Sequence, residues 1–248
     1  MNYSYPALAH KVIDDMADRQ ASAIDAAVDL ITSRLRRGGV LQAFGTGHAR
    51  IPVHEMAGRA GGLTSVNLVR LSDLAFRGGY APADVADPLL ERDPEIAAPL
   101  FELTAPAPDD VFLIASNSGI NGAVVEFAML VRDAGLPIVA LTSVAHSTST
   151  PSRHPSGKRL LDLADVVIDN GAPPGDAALD LGEGVVVGAV SNLAGVVAVQ
   201  LLTEGIARAM LEQGEKPPVY RSMNLPDGDE RNAAATARYQ GRVHPIEA

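Results

Sequence analysis

Three short segments of the chain are rich in small, hydroxyl and amide residues of the kind that bind an anion. They are residues 45–48, 116–121 and 142–143, which read GTGH, SNSGIN and TS. Hydroxyl groups and free main-chain amides at a helix N-terminus can hold a phosphate group without a counter-charge. Helix capping alone explains one such segment, but three of them favour a phosphate site. The residues expected to contact the phosphate are Gly45, Thr46, Gly47, Ser116, Asn117, Ser118, Asn121, Thr142 and Ser143.

Each of the three segments directly follows a short apolar run that predicts a buried strand. The predicted strands are 40–44, 64–69, 111–115, 137–141 and 166–168, and helices are predicted at 49–60 and 121–134. Short apolar strands that alternate with helices are typical of a parallel sheet covered by helices on both faces. Ligands of such sheets bind outside the carboxyl ends of the strands, so the three segments should lie close together.

The flanking regions complete one predicted domain over all 248 residues, with its core at about 38–212. Apolar residues recur at the helical period over 7–37, which indicates one long amphipathic helix. The apolar stretch 185–211 also contains small and amide residues, so we expect a helix in the core or at a dimer interface rather than in a membrane. Residues 71–108 are a proline-broken connection with one or two short helices, and the tail over 217–248 is expected to be extended.

The composition argues against several other classes of protein. The chain carries 20 basic and 30 acidic residues, a formal net charge of −10, so it is not expected to bind nucleic acid or an anionic membrane. No cysteine is present, which removes disulfides and thiolate chemistry. Glycine-rich nucleotide loops are missing and the histidines lack metal-ligand spacing, so no cofactor and no metal are expected. Residues 1–6 lack the pattern of a secretory signal, which favours the cytoplasm.

The residues in and around these segments resemble the sugar isomerase (SIS) domain family. Residues 116–126 are similar to that family's Ser-x-Ser-Gly-x-Thr phosphate loop and helix, with Asn121 where threonine is more common, and FGTG at 44–47 is similar to its first loop. Further stretches resemble the UPF0309 subgroup of SIS-type sugar-phosphate proteins, at 54–59, 152–159 and 174–177. The resemblance implies a three-layer, flavodoxin-like α/β fold with a five-stranded parallel sheet. It also implies a phosphorylated sugar as ligand and a homodimer or homotetramer with sites at the subunit interface.

Turnover of a bound sugar also needs an acid or a base, and three residues are candidates. Glu55 lies one to two turns into the helix after residues 45–48, and its surroundings resemble the catalytic-glutamate helix of SIS heptose-phosphate isomerases. As a general base it would take the proton from C2. His48 and His154 could assist, since histidine titrates near neutral pH. The ordinary alternatives are an ion pair between Glu55 and Arg59, and a solvated basic loop around His154.

Two reactions begin with removal of the C2 proton. Reprotonation at C1 gives an aldose–ketose isomerase, and loss of the C3 substituent gives a lyase. The heptose-phosphate isomerases carry a histidine on the last long helix, but residues 185–211 contain none. SIS etherases act by elimination on an N-acetylated amino-sugar 6-phosphate, so the resemblance favours dehydration of N-acetylglucosamine 6-phosphate, with isomerisation as the alternative. A sensor that binds sugar phosphates without turnover is a third possibility, although no basic recognition helix is visible.

Overall fold

The computed structural model describes residues 3–244, and its centre is the predicted five-stranded parallel sheet. The strands are β1 (Leu41–Gly45), β2 (Val66–Val69), β3 (Val111–Ala115), β4 (Ile138–Thr142) and β5 (Val166–Asp169). Their order is β2-β1-β3-β4-β5, and every neighbouring pair is parallel. The short apolar runs suit these strands because helices cover both faces of the sheet. The α/β prediction is confirmed.

Helices form the two outer layers of this sandwich. They are α1 (Tyr5–Arg19), α2 (Ala21–Arg36), α3 (Arg50–Met56), α4 (Asp73–Phe76), α5 (Pro82–Val85), α6 (Ala97–Thr104), α7 (Gly122–Asp133), α8 (Val144–Ser149), α9 (Leu160–Leu163), α10 (Ser191–Glu212) and α11 (Gly228–Thr236). Side chains along a strand alternate between faces. Leu41 and Ala43 of β1 therefore pack with α2, α3 and α10, while Phe44 packs with α6 and α7.

The prediction of one helix over residues 7–37 is wrong, because the segment forms two consecutive helices. α1 ends at Arg19 and α2 begins at Ala21, so the break falls at Gln20. The side chain of Gln20 accepts a hydrogen bond of 3.0 Å from the main-chain amide of Asp169 at the end of β5. Both helices still bury apolar side chains against the same core, which is why the helical period continues through the break.

The long C-terminal helix starts later than the apolar pattern indicates. α10 begins at Ser191, and residues 186–189 form β7 (Val186–Ala189), which pairs antiparallel with β6 (Ala177–Asp180). Asp176 fixes this boundary, since its carboxylate accepts hydrogen bonds from the main-chain amides of Val190 and Ser191. Among the described residues α10 is the one helix long and apolar enough to cross a membrane, but it packs against α2 and α3 in the core. One face of α10 therefore lies in the core, one of the two places that the sequence predicts for it.

The tail is extended only at its start, so that part of the prediction is wrong. Val219 forms an antiparallel bridge with Leu63, beside the edge strand β2. The chain then forms α11 and a 3₁₀ turn over Ala237–Tyr239. Two acidic residues in the first turn of α11 favour a helix there. Arg242 then pairs with the buried carboxylate of Asp110. Residues 1–2 and 245–248 of the predicted domain lie outside the described residues.

Candidate functional site

A cleft of about 1260 Å³ opens at the carboxyl ends of β1 and β2. Its walls come from four parts of the chain: residues 45–48, 50–60, 68–72 and 85–91. Residues 45–48 are one of the three polar segments, and Gly45 allows the tight turn of the chain there. A Cβ at Gly45 would lie 2.8 Å from the carbonyl oxygen of Ala49, so the chain can turn this tightly only with glycine. The cleft is large enough for a phosphorylated sugar.

Glu55 lines this cleft from α3, where the sequence predicts it. Its Oε1 atom accepts a hydrogen bond of 3.0 Å from Gln200 Nε2 and also pairs with Arg59. Its Oε2 atom has no hydrogen-bond partner within residues 3–244 and is available to a ligand. The ion pair with Arg59 is the ordinary alternative named above, but it leaves one carboxylate oxygen in the cleft.

Two histidines line the same cleft, His48 and His54. His48 is exposed at the end of the first segment. Burial, followed by the positive charges of Arg70 and Arg50, holds the pKa of His54 below its ordinary value of 6.5. A neutral imidazole can both accept and donate a proton, so His54 is a further polar group for a ligand. The only sequence signal for it is its position next to Glu55.

The serine segment at residues 116–121 lies between β3 and α7. The hydroxyl of Ser116 accepts a hydrogen bond of 3.1 Å from the main-chain amide of Gly119. Ser118 is partly exposed, and its hydroxyl has no hydrogen-bond partner in the described part of the chain. Asn121 is the N-cap of α7, which begins one residue after the predicted start, and its side chain does not bond the helix. The free hydroxyl and the N-terminus of this 12-residue helix can both contribute to an anion site.

The third segment is more fully bonded within the protein than the other two. The hydroxyl of Ser143 accepts a hydrogen bond of 3.0 Å from His146 N and donates one of 2.6 Å to the carbonyl of Ala172. It is therefore the N-cap of α8. Thr142 Oγ1 donates to the carbonyl oxygen of Asn117 at 3.3 Å. The side-chain oxygen of Asn117 in turn accepts from Asn170 at 3.0 Å, so these polar groups largely satisfy one another.

His154 is buried and does not line the cleft. Its Nε2 atom lies 2.8 Å from a carboxylate oxygen of Glu126 on α7, and Ser156 N donates to its Nδ1 at 3.1 Å. Both ring nitrogens are thus engaged within the protein. Glu55 and His48 thus line the same cleft, whereas His154 contacts Glu126 and is not one of the lining residues.

Glu91 connects the cleft with the serine segment, and no sequence pattern points to it. It lies in a 3₁₀ turn over Leu90–Arg92 and lines the cleft. Its Oε1 atom accepts a hydrogen bond of 2.7 Å from Asn121 Nδ2. The oxygen of the same amide accepts a hydrogen bond of 2.6 Å from Arg153. The amide of Asn121 therefore bridges a carboxylate and a guanidinium, with its nitrogen as donor and its oxygen as acceptor.

Comparison with known proteins agrees with this fold and defines its class. The SIS domain family model matches residues 4–143, and the chain belongs to that family. Within it, the chain is 35% identical over 237 residues to UPF0309 protein lmo0025 of Listeria monocytogenes, covering 95% of each chain. It is also 35% identical over 231 residues to UPF0309 protein BCAN_B0929 of Brucella canis, covering 93% of this chain and 92% of the relative.

Solved structures share the fold at much lower sequence identity. The phosphoheptose isomerase of Neisseria gonorrhoeae is 14% identical, with a TM-score of 0.53 over 82% of this chain and 94% of the isomerase. The Escherichia coli CFT073 protein c3406, solved in complex with a sugar phosphate, is also 14% identical, with a TM-score of 0.52 over 84% of this chain and 88% of c3406. These similarities establish a phosphosugar isomerase-like SIS fold.

Proposed function

We propose that this protein is an enzyme that binds an N-acetylated amino-sugar 6-phosphate, with N-acetylglucosamine 6-phosphate as the leading substrate. In this proposal Glu55 removes the C2 proton, and water is then lost from C3. The observation that carries it is the shared cleft: a carboxylate oxygen of Glu55 is unpaired there, and Glu91 joins the cleft to the serine segment. The solved complex of c3406 with a sugar phosphate supports a ligand of this class.

The phosphate would bind at the N-terminus of α7. The unpaired hydroxyl of Ser118 can donate to a phosphate oxygen, and so can the second hydrogen of the Asn121 amide. The helix dipole adds a favourable field for the negative charge. The sugar would then extend into the cleft towards Glu55. His48 lines the cleft and can assist ring opening, whereas we assign no step to His154.

Removal of the C2 proton uses the acidity of a carbon next to a carbonyl group. In the open-chain sugar C2 lies beside the C1 aldehyde, so its proton is acidic enough for a carboxylate base held in position. The C2 carbanion is stabilised as an enolate. Loss of the C3 hydroxyl group then gives a double bond between C2 and C3.

Aldose–ketose isomerisation is the second candidate, because solved phosphoheptose isomerases share this fold. It uses the same base and the same first step. The two reactions differ in the fate of the enolate, which is reprotonated at C1 in one case and loses the C3 oxygen in the other.

A proton NMR time course in deuterated water with N-acetylglucosamine 6-phosphate tests this proposal. Dehydration predicts loss of the H2 signal and a new vinylic resonance. Isomerisation to a ketose needs a hydroxyl group at C2, so it is tested in a parallel time course with glucose 6-phosphate, where it predicts H2 exchange with ketose signals. Glu55→Gln should abolish both, while Glu212→Gln, which alters an exposed glutamate at the end of α10, should keep wild-type activity. Saturable binding without any chemistry in the wild-type protein would contradict an enzyme and indicate a sensor.

We also propose a cytoplasmic homodimer or homotetramer. The β6–β7 hairpin supports an assembly, because Leu181, Val185 and Val186 are at least 49% exposed. Exposed apolar groups on one small hairpin are typical of an interaction surface. Analytical ultracentrifugation of the purified protein should show a dimer or tetramer, and a monomer at micromolar concentration would contradict this.

A further inference from the structure

The loop between α8 and α9, residues 150–159, is bonded to the serine segment through its main chain. The amide of Arg153 donates a hydrogen bond of 3.0 Å to the carbonyl oxygen of Ile120. Just after the loop, the amide of Leu160 donates one of 2.8 Å to the carbonyl oxygen of Gly119. The loop is therefore held against the residues that precede α7.

His154 attaches the middle of this loop to α7. Its imidazole is buried, and its Nε2 atom lies 2.8 Å from a carboxylate oxygen of Glu126. The main-chain amide of Ser156 donates a hydrogen bond of 3.1 Å to its Nδ1 atom. Because Nδ1 accepts that hydrogen bond, Nε2 carries the ring proton and donates a hydrogen bond to Glu126. The loop is thus fixed to α7 by the protein's own contacts, and it holds Arg153 beside the N-terminus of that helix.

The guanidinium of Arg153 contacts the side-chain amide at the expected phosphate site. Its Nη1 atom donates a hydrogen bond of 2.6 Å to Asn121 Oδ1, and Asn121 Nδ2 is the group that can donate to a phosphate oxygen. The other N–H groups of the guanidinium have no hydrogen-bond partner among residues 3–244. Within the same residues no carboxylate forms an ion pair with Arg153. A positive charge without a counter-ion therefore lies one side chain away from the expected phosphate.

A cation at this site would offset the negative charge of Glu91. The Glu91 carboxylate accepts a hydrogen bond of 2.7 Å from the same amide of Asn121, so it would lie close to a bound phosphate dianion and repel it. Serine hydroxyls and main-chain amides carry no net charge that could balance this repulsion. A guanidinium binds phosphate through two parallel N–H donors. Arg153 can therefore supply both the positive charge and a pair of donors.

We propose that Arg153 is the cationic ligand of the phosphate group, a role that rests on the phosphate site of the proposed function. In this role Arg153 makes the site specific for a dianionic phosphate monoester, because a guanidinium attracts two negative charges more strongly than one. A monoanionic 6-sulfate of the same sugar would keep the contacts with neutral donors and gain less from Arg153. The role concerns binding, and it is independent of whether the bound sugar is dehydrated or isomerised.

Titration calorimetry with the 6-phosphate and the 6-sulfate of N-acetylglucosamine tests this role. All variants are made in the Glu55→Gln background, which should bind the substrate without consuming it. We expect Arg153→Gln to raise the Kd for the phosphate ester about ten- to hundred-fold. The Kd for the sulfate ester should rise about three- to ten-fold, the square root of that factor, because the attraction scales with the charge of the ligand.

Two further variants separate the guanidinium from the general charge of the loop. Arg153→Lys keeps the charge but not the paired donors, so its Kd for the phosphate ester should lie between those of arginine and glutamine at position 153. Lys158→Gln removes one positive charge from an exposed position of the same loop and should leave both Kd values within about two-fold.

The role of Arg153 is overturned if Arg153→Gln binds the phosphate ester as tightly as its parent or weakens both esters equally. It is also overturned if Arg153→Lys is as weak as Arg153→Gln, or if Lys158→Gln is equally harmful. In those cases the phosphate ester still binds to the parent protein, and the proposed function stands. A wild-type protein that binds neither ester overturns the phosphate site of the proposed function itself.

Discussion

At the carboxyl ends of β1 and β2 the polar side chains border an open cleft, whereas at β4 and β5 they bond to one another. Glu55 keeps one oxygen free and His54 remains partly exposed on the first side. On the second side Ser143 caps α8, and Asn117 accepts a hydrogen bond from Asn170. The two regions meet where Glu91 contacts Asn121.

A hydroxyl group at the end of a strand therefore does not by itself indicate a ligand. Ser118 and Ser143 follow neighbouring strands of the sheet and look equivalent in the sequence. Ser143 makes two hydrogen bonds within the protein, while Ser118 makes none among the described residues. Only the hydroxyl without a partner can donate to a phosphate at no cost to the fold.

The largest loss of stability is expected at Gly122, beside the contact between Glu91 and Asn121 that connects the two regions. Gly122→Ala would place a Cβ 2.3 Å from the carbonyl oxygen of Arg92, and neither main chain can move without losing its packing. We expect the free energy of unfolding, measured in urea, to fall by about 3 kcal/mol. Affinity for the sugar phosphate should also fall, because the Glu91–Asn121 contact is disturbed.

Gly205→Ala is the matched control for Gly122→Ala, because it also adds a methyl group to a closely packed glycine. Its Cβ would lie 2.6 Å from Val28 Cγ2, between α10 and α2 and away from the cleft. It should lower stability while affinity stays at the wild-type level. If both variants lost the same affinity, general destabilisation would explain the weaker binding, and disturbance of the Glu91–Asn121 contact would not.

Ser118→Ala should affect binding without affecting the fold. A hydrogen bond to a charged group contributes about 1.5–3 kcal/mol, so titration calorimetry should show a Kd for the sugar phosphate raised about ten- to hundred-fold. The free energy of unfolding should stay within about 0.5 kcal/mol of wild type, because the hydroxyl has no partner among the described residues. Unchanged affinity would remove Ser118 from the phosphate site.

Ser143→Ala should show the opposite pattern. Loss of the α8 cap and of the hydrogen bond to Ala172 should lower the free energy of unfolding by about 1–2 kcal/mol. Its effect on affinity should be smaller than that of Ser118→Ala. A variant with wild-type stability and poor binding would instead make Ser143 a phosphate ligand.

The smallest expected effect is the contribution of His54 to the pH dependence of the free energy of unfolding. Burial and the charges of Arg70 and Arg50 lower its pKa in the folded state. As pH falls below about 6.5 the unfolded state therefore binds a proton before the folded state does, and stability decreases. His54→Asn should lose less stability than wild type between pH 7 and pH 5 in urea titrations. Parallel curves for the two proteins would contradict a lowered pKa.

Much of the sheet could be predicted, because its strands are uninterrupted apolar runs between polar residues. β3 follows Asp110 and ends before Ser116, as the sequence predicts. The β6–β7 hairpin was missed since exposed Val186 and Val187 look like the start of an apolar helix. α11 lies in the tail that the sequence predicts as extended, because its turn residues hide the acidic first turn of a helix.

The site is harder to predict because its contacts join distant parts of the chain. Glu91 lies in a proline-broken connection without periodicity, and only the fold places it against Asn121, 30 residues later. The basic neighbours of His154 indicate an anion site, but its side chain contacts Glu126, 28 residues earlier in the chain. The residues around Glu55 indicate a catalytic base, and this role stays a prediction.

A crystal structure of Glu55→Gln with N-acetylglucosamine 6-phosphate tests the central claim most directly, since the variant should bind the substrate without consuming it. We expect the phosphoryl group within hydrogen-bond distance of Ser118 Oγ and Asn121 Nδ2. C2 should face residue 55 in the cleft. A phosphoryl group bound away from residues 116–121, or a sugar outside the cleft, would contradict the account.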